Sequence, residues 1–70
     1  MRVVNSLREA RRAAGLTQEE LSRRCGVSRQ TIIAVERGVH VPTLTLALQL
    51  AEVLDRPITS LFMLERVASR

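Results

Sequence analysis

The stretch Thr17–Gly38, TQEELSRRCGVSRQTIIAVERG, reads as two short helices joined by a tight turn. Thr17 and Glu20 have the spacing of a capping box, in which the hydroxyl and the carboxylate each satisfy an amide at the helix start. The first helix then runs to about Arg24, with Leu21 and Cys25 four apart on one face. Gly26 sits where a left-handed residue ends a helix at low cost. Val27 plugs inward and Ser28 can cap the second helix. In that helix Ile32, Val35 and Glu36 face the body, leaving Arg29, Gln30, Thr31, Ile33, Ala34 and Arg37 outside. Residues 17–37 therefore form a helix-turn-helix with a hydrogen-bonding outer face.

Working outward, the chain of 70 residues makes one expected domain (1–70), near the lower limit for a self-sufficient core. At 46% hydrophobic it is too apolar to be disordered, and with Phe62 as its one aromatic the core must be aliphatic. A core this small is a reason to expect help from a partner chain. The net charge is +4 and every basic residue is Arg. Arg favours bidentate contacts to phosphate and guanine, although an all-Arg composition is also what a GC-rich genome yields. The single cysteine, Cys25, excludes an internal disulfide and a Cys-rich metal site, and an intracellular, cytoplasmic protein fits best. No apolar run approaches the roughly 18 residues of a membrane span, and the apolar segment of the N-terminal MRVVNSL is too short for the one expected of a signal peptide.

Before the central stretch, Ser6 and Glu9 again have capping-box spacing, so helix 1 is expected to run to about Ala14 and stop at Gly15, with Leu7, Ala10 and Ala14 as its apolar stripe. Leu16 precedes the Thr17 cap as a hydrophobic staple. After it, Pro42 excludes helix from the loop VHVPT, and Thr43 caps a fourth helix reaching about Leu54. Leu44, Ala47, Leu48, Ala51 and Leu54 form one face of that helix, and Leu46, Leu50 and Val53 a second. A helix apolar on two faces needs two things to pack against, one of them outside a monomer of this size. Asp55 can take a left-handed turn position, and Pro57 suits the first turn of a fifth helix ending near Leu61. The apolar start of the tail can pair with Val3 and Val4. The expected fold class is all-α, five helices with a small two-stranded antiparallel ribbon from the terminal segments.

Taken together, LREARRAAGLTQEEL, GVSRQTI, VERG and PTLTLALQLAEVL resemble the lambda-repressor-like (Xre/Cro type) family of DNA-binding domains over about Leu7 to Phe62. The chain is similar to the family's short stand-alone regulators, in which terminal strands flank five helices and the protein works as a homodimer. The resemblance implies that Ser22 lets the two helices cross closely and that Ile32 is the buried residue of the recognition helix. It implies a phosphate contact at Gln18, base contacts at Arg29, Gln30 and Ala34, and an ion pair between Arg11 and Glu36. Two departures stand out: Cys25 replaces a larger aliphatic, so looser packing is expected there, and Ala34 is short enough at a reading position to offer only a methyl contact.

The chemistry matches. Phosphates are held by cations and helix N-termini, and Gln18, Ser28 and Thr31 stand at two such starts. Arg pairs with guanine O6 and N7, and Gln with adenine N6 and N7. Arg29 and Gln30 supply one of each, with Ile33 and Ala34 beside them. Arg37 and His40 suit either a phosphate contact or an ordinary loop, while Arg23 and Arg24 complement a helix dipole and read as solvated. His40 lacks neighbouring ligands for a metal, Cys25 reads as a packed thiol, and no catalytic constellation is visible. No metal, cofactor, membrane or small-molecule ligand is expected.

The expected function is a transcription regulator, a repressor, binding a palindromic double-stranded DNA operator as a homodimer. It would be a bacterial or archaeal protein, associated with the nucleoid when bound. The expected dimer surface is Leu46, Leu50 and Val53 with Phe62, Met63 and Leu64. Two rival readings stay open: an antitoxin or restriction–modification controller with the same module, and a protein-interaction module that does not bind DNA.

Overall fold

A computed structural model describes residues 1–66. The elements run β1 (Arg2–Asn5), α1 (Leu7–Ala13), α2 (Gln18–Cys25), α3 (Arg29–Glu36), α4 (Leu44–Leu54), α5 (Ile58–Leu61) and β2 (Phe62–Glu65). The two strands pair antiparallel in the register Arg2 with Glu65, Val3 with Leu64, Val4 with Met63 and Asn5 with Phe62, closing the ribbon. The five helices and the ribbon are those the sequence leads one to expect; residues 67–70 lie outside the described part.

Local signals set most of the boundaries. The Thr17 hydroxyl accepts the Glu20 amide at 3.0 Å, and the Glu20 carboxylate accepts the Thr17 amide at 2.8 Å, so both halves of the capping box at α2 are made. Bonding to the Thr17 amide first, and to its hydroxyl, holds the Glu20 carboxyl below the usual carboxylate range. Gly26 ends α2 at φ 68°, a left-handed position where a side chain would be strained although nothing stands within 4 Å. Ser28 caps α3 and Thr43 caps α4 through their hydroxyls. Asp55 ends α4 with φ 55°, the one non-glycine residue of positive φ among the described residues.

The core is aliphatic: Leu7, Ala10, Leu21, Cys25, Ile32, Val35, Leu46, Leu50, Leu54 and Leu61 form one buried cluster, with Leu16, Val27, Ala51, Val53 and Phe62 packed around it. Each helix thus contributes to a single seam, as a helix with one apolar stripe must. Burial pushes the Cys25 thiol up from its ordinary range.

Three expectations are corrected. At α1, Ser6 makes no side-chain cap and no box with Glu9. Its hydroxyl donates instead to the Ser60 carbonyl at 2.8 Å, and the Leu7 amide turns to Asn5 Oδ1 at 3.1 Å. Ala14 is exposed as the C-cap of α1, and its expected inward place is taken by Arg11, which lies buried beside Leu7 and Ala10.

The third correction concerns the dimer surface. Leu50 is 0% exposed and Leu46 only 6%, both inside this chain's own core, so neither is available to a partner. The buried arc of α4 holds Leu46, Ala47, Leu50 and Leu54 and cuts across both of the faces drawn from periodicity, because α2 and α5 pack on that side. Val53 and Phe62 are half-buried against the core, whereas Met63 and Leu64 are exposed. The unpartnered row of α4 is Leu44, 70% exposed, and Leu48, 52% exposed.

Candidate nucleic-acid interface

The inner face of α3 is fixed by two kinds of contact. Ile32 and Val35 are wholly buried in the core. Beside them the Glu36 carboxylate, 3% exposed, accepts Arg11 Nε at 2.6 Å and Arg11 Nη2 at 3.3 Å. Arg11 uses its remaining terminal nitrogen on the Leu16 carbonyl at 2.8 Å, at the threshold of α2. The ion pair implied by the resemblance is therefore formed, and it joins α1, the α1–α2 turn and the end of α3. Two buried charges so paired are expensive to desolvate and are held by the number and direction of their hydrogen bonds.

Asn5 is a contact that sequence reasoning missed. Its Nδ2 donates to the Val35 carbonyl at 2.8 Å, so the end of β1 also grips the last turn of α3. The only sequence signal was an Asn directly before a helix start, which favours local bonding and says nothing of a partner thirty positions on.

The outer face follows from that anchoring. Arg29 and Gln30 are exposed at the first turn of α3. Ser28 is exposed beside them and accepts the Thr31 amide at 3.2 Å, while its Oγ lies 3.0 Å from the Thr31 hydroxyl. Ile33 and Ala34 are half-buried in the next turn. Arg37, the C-cap of α3, and His40 are exposed at its far end, where the Val39 and His40 amides both return to the Ala34 carbonyl. The structure thus brings eight of the nine candidate residues onto or beside one helix.

The ninth, Gln18, stands at the start of α2, half-buried, with its Nε2 on Glu36 Oε1 at 3.1 Å. Its amide nitrogen is committed to orienting the carboxylate, so a phosphate contact there falls to the remainder of the side chain and the α2 backbone.

Electrostatically the outer face of α3 is one-signed. Its acid, Glu36, is buried and paired, whereas Arg29 and Arg37 are exposed at opposite ends. No carboxylate lies in the first turn of α3, while Glu19 and Glu20 occupy that of α2. Acid side chains at a helix start complement its dipole, so the start of α3 is the more electropositive of the two. Eight residues of α3 span roughly 12 Å, the width of a B-DNA major groove, about 12 Å. Such a face can accept phosphate at its start and present donors to base edges.

Comparison with known proteins gives a consistent picture. The helix-turn-helix family model HTH_3 matches residues 7–61. An uncharacterised HTH-type transcriptional regulator of Methanothermobacter thermautotrophicus is 52% identical over 60 residues, covering 84% of this chain and 87% of its own. Among solved structures, the restriction-modification controller protein C.AhdI from Aeromonas hydrophila superposes with a TM-score of 0.72 at 41% identity, covering 77% of this chain and 82% of that one. A solved structure of a protein from Bacteroides fragilis reaches a TM-score of 0.80 over 87% of this chain and 98% of its own, and at 21% identity it speaks to the fold alone.

Proposed function

The chain belongs to the HTH_3 helix-turn-helix family, whose relatives are transcriptional regulators and not enzymes, and from that premise we propose that it is a sequence-specific regulator that represses transcription by binding a palindromic operator in double-stranded DNA as a homodimer. The observation that carries the reading is the division of α3. Ile32, Val35 and Glu36 are locked inside, while Arg29 and Gln30 stand free at the end where the helix is most electropositive.

In this mechanism α3 enters the major groove. Arg29 addresses guanine and Gln30 addresses adenine on their Hoogsteen edges. Ser28, Thr31 and the α3 amides, with the start of α2 near Gln18, hold phosphates that set the register. Arg37 and His40 contact the backbone at the far end. Two copies related by a two-fold axis then read half-sites about 34 Å apart on one side of the duplex. The dimer surface is the exposed row Leu44 and Leu48, with Met63 and Leu64 of the ribbon as a further exposed apolar pair. DNA as the target places the working protein in the cytoplasm, on the nucleoid; no helix among the described residues is long and apolar enough to cross a membrane.

Likeness to a restriction-modification controller at 41% identity supports a second, narrower reading, control of a neighbouring endonuclease gene. An endonuclease or toxin gene adjacent to this one would favour it over a general regulator.

Selection of bound duplexes from a random pool, followed by salt titration, tests the main reading. A symmetric enriched site and a steep fall of affinity with salt are expected. Arg29→Ala is expected to weaken that site by about 1–3 kcal/mol and relax one base preference. Failure to enrich any duplex would sink the proposal, and equal loss on all sequences would move Arg29 to the phosphate class.

A further inference from the structure

Resting on the DNA-binding reading of α3, we infer that Asn5 is a positioning residue for that binding. Its side chain latches the terminal ribbon to the last turn of α3, so that pairing of β1 with β2 and the DNA-competent placement of α3 form one coupled equilibrium. Asn5 acts through the Val35 carbonyl and not on the DNA itself.

The Asn5 amide is engaged at both of its polar atoms. Oδ1 accepts the Leu7 amide at 3.1 Å, at the start of α1, and Nδ2 donates to the Val35 carbonyl at 2.8 Å. Turning the amide over would set donor against donor and acceptor against acceptor, so its orientation is fixed. The Val35 carbonyl is one of the four that a helix end leaves without an intrahelical partner. It takes the Gly38 amide at 3.0 Å and, on its second lone pair, Asn5. Arg37 and His40 are carried on the turn so held.

A groove separates β1 from the end of α3. Val3, Val4 and Asn5 line it from the strand, and Glu36, Arg37 and Gly38 from the other side. Among the described residues, Asn5 to Val35 is the one hydrogen bond that joins either strand to α3. The strand is in turn closed onto its neighbour. The Ser6 amide donates to the Leu61 carbonyl at 2.9 Å, the Ser6 hydroxyl donates to the Ser60 carbonyl at 2.8 Å, and Arg2 pairs with Glu65 at 2.7 Å. A two-stranded ribbon is only marginally stable by itself, and terminal segments open locally at low cost. Through the latch, each opening of the ribbon also releases the end of α3. Linkage is reciprocal: the factor by which ribbon closure raises DNA affinity is the factor by which DNA favours ribbon closure. One neutral hydrogen bond sets that factor at about two- to tenfold.

Native-state hydrogen exchange and duplex binding on the intact chain test this. Asn5→Ser and Asn5→Asp each keep an acceptor for the Leu7 amide. Serine ends one bond short of reaching Val35, and an ionised aspartate has no proton to donate. Circular dichroism verifies the fold of each. In the parent, the selected duplex is expected to slow exchange of the Ser6 amide. In both variants that gain is expected to vanish while affinity falls by the same factor, about two- to tenfold, with the preferred sequence unchanged. A merely structural Asn5 would lower the melting temperature and leave the DNA-dependent protection of Ser6 in place, which would overturn the proposal. Variants that bind as tightly as the parent would overturn it too. So would a parent whose Ser6 exchange ignores DNA, a result that needs no variant to fold. A parent that enriches no duplex would bring down the DNA-binding reading itself.

Discussion

Replacing Arg11 by Met removes three hydrogen bonds at once: two to Glu36, at 2.6 and 3.3 Å, and one to the Leu16 carbonyl at 2.8 Å. The methionine keeps much of the volume of the Arg11 stem, which is buried, so the perturbation is electrostatic more than volumetric. What remains is a carboxylate 3% exposed, bonded by Gln18 alone at 3.1 Å, beside an unsatisfied carbonyl. Breaking a buried pair from one side costs about 3–5 kcal/mol. A chain of this length has a total stability of only about 3.5–10 kcal/mol. Arg11→Met is therefore expected to populate unfolded chains visibly at room temperature.

The informative companion is Arg11→Met with Glu36→Leu. With both charges gone, no ion is left stranded and the double variant is expected to recover most of the loss, since apolar replacement of a buried pair is often close to neutral. Urea unfolding followed by circular dichroism measures all four corners of the cycle, at one protein concentration because a dimer's midpoint depends on it. A coupling energy of about 2 kcal/mol or more is expected, within the range for directly bonded neighbours. Strictly additive losses, or a single variant as stable as the parent, would refute the account of how α3 is anchored.

Thr17→Ala removes the hydroxyl that caps α2 and is expected to cost about 1 kcal/mol at neutral pH. Glu20, whose folded pKa is depressed, contributes stability that is present above the unfolded carboxylate value and lost as pH falls through the folded one, so the gap in melting temperature between parent and Thr17→Ala should narrow in acid. Asp55→Gly relieves a left-handed non-glycine residue at the C-terminus of α4 and removes a negative charge from the wrong end of its dipole; a gain of about 1 kcal/mol, or roughly 4–8 °C in melting temperature, is expected in a thermal scan. Leu48→Arg is expected to yield monomers in light scattering without loss of helix content, because Leu48 is exposed; a variant that stays dimeric would place the dimer surface elsewhere.

How much was legible in the sequence follows the range of each interaction. The capping box at Thr17, the left-handed Gly26 and Asp55, and the caps Ser28 and Thr43 are satisfied within a few residues, so the string contains both partners. The outward placement of Arg29 and Gln30 followed equally well from a period of 3.6 about Ile32 and Val35. Ser6 looked like a second capping-box serine, but the carbonyl it chose belongs to Ser60, 54 residues away.

The two faces of α4 could be drawn from periodicity but not assigned, since Leu appears on both. Where the buried arc falls across them depends on where α2 and α5 arrive, and their arrival buries Leu46, Ala47, Leu50 and Leu54 and leaves Leu44 and Leu48 outside. Gln18 illustrates the same limit at the candidate site: its position at a helix start was readable, while its bond to Glu36 required the fold.

The central claim is that the outer face of α3 meets the bases. A titration of isotope-labelled protein with the selected duplex, followed by amide and side-chain NMR, tests it directly. Shifts concentrated at Ser28 to Ala34, Arg37 and the Arg29 and Gln30 side chains, with Leu44 and Leu48 unmoved by added DNA, are the predicted result. Shifts centred on α4 or the ribbon, with the α3 face silent, would contradict it.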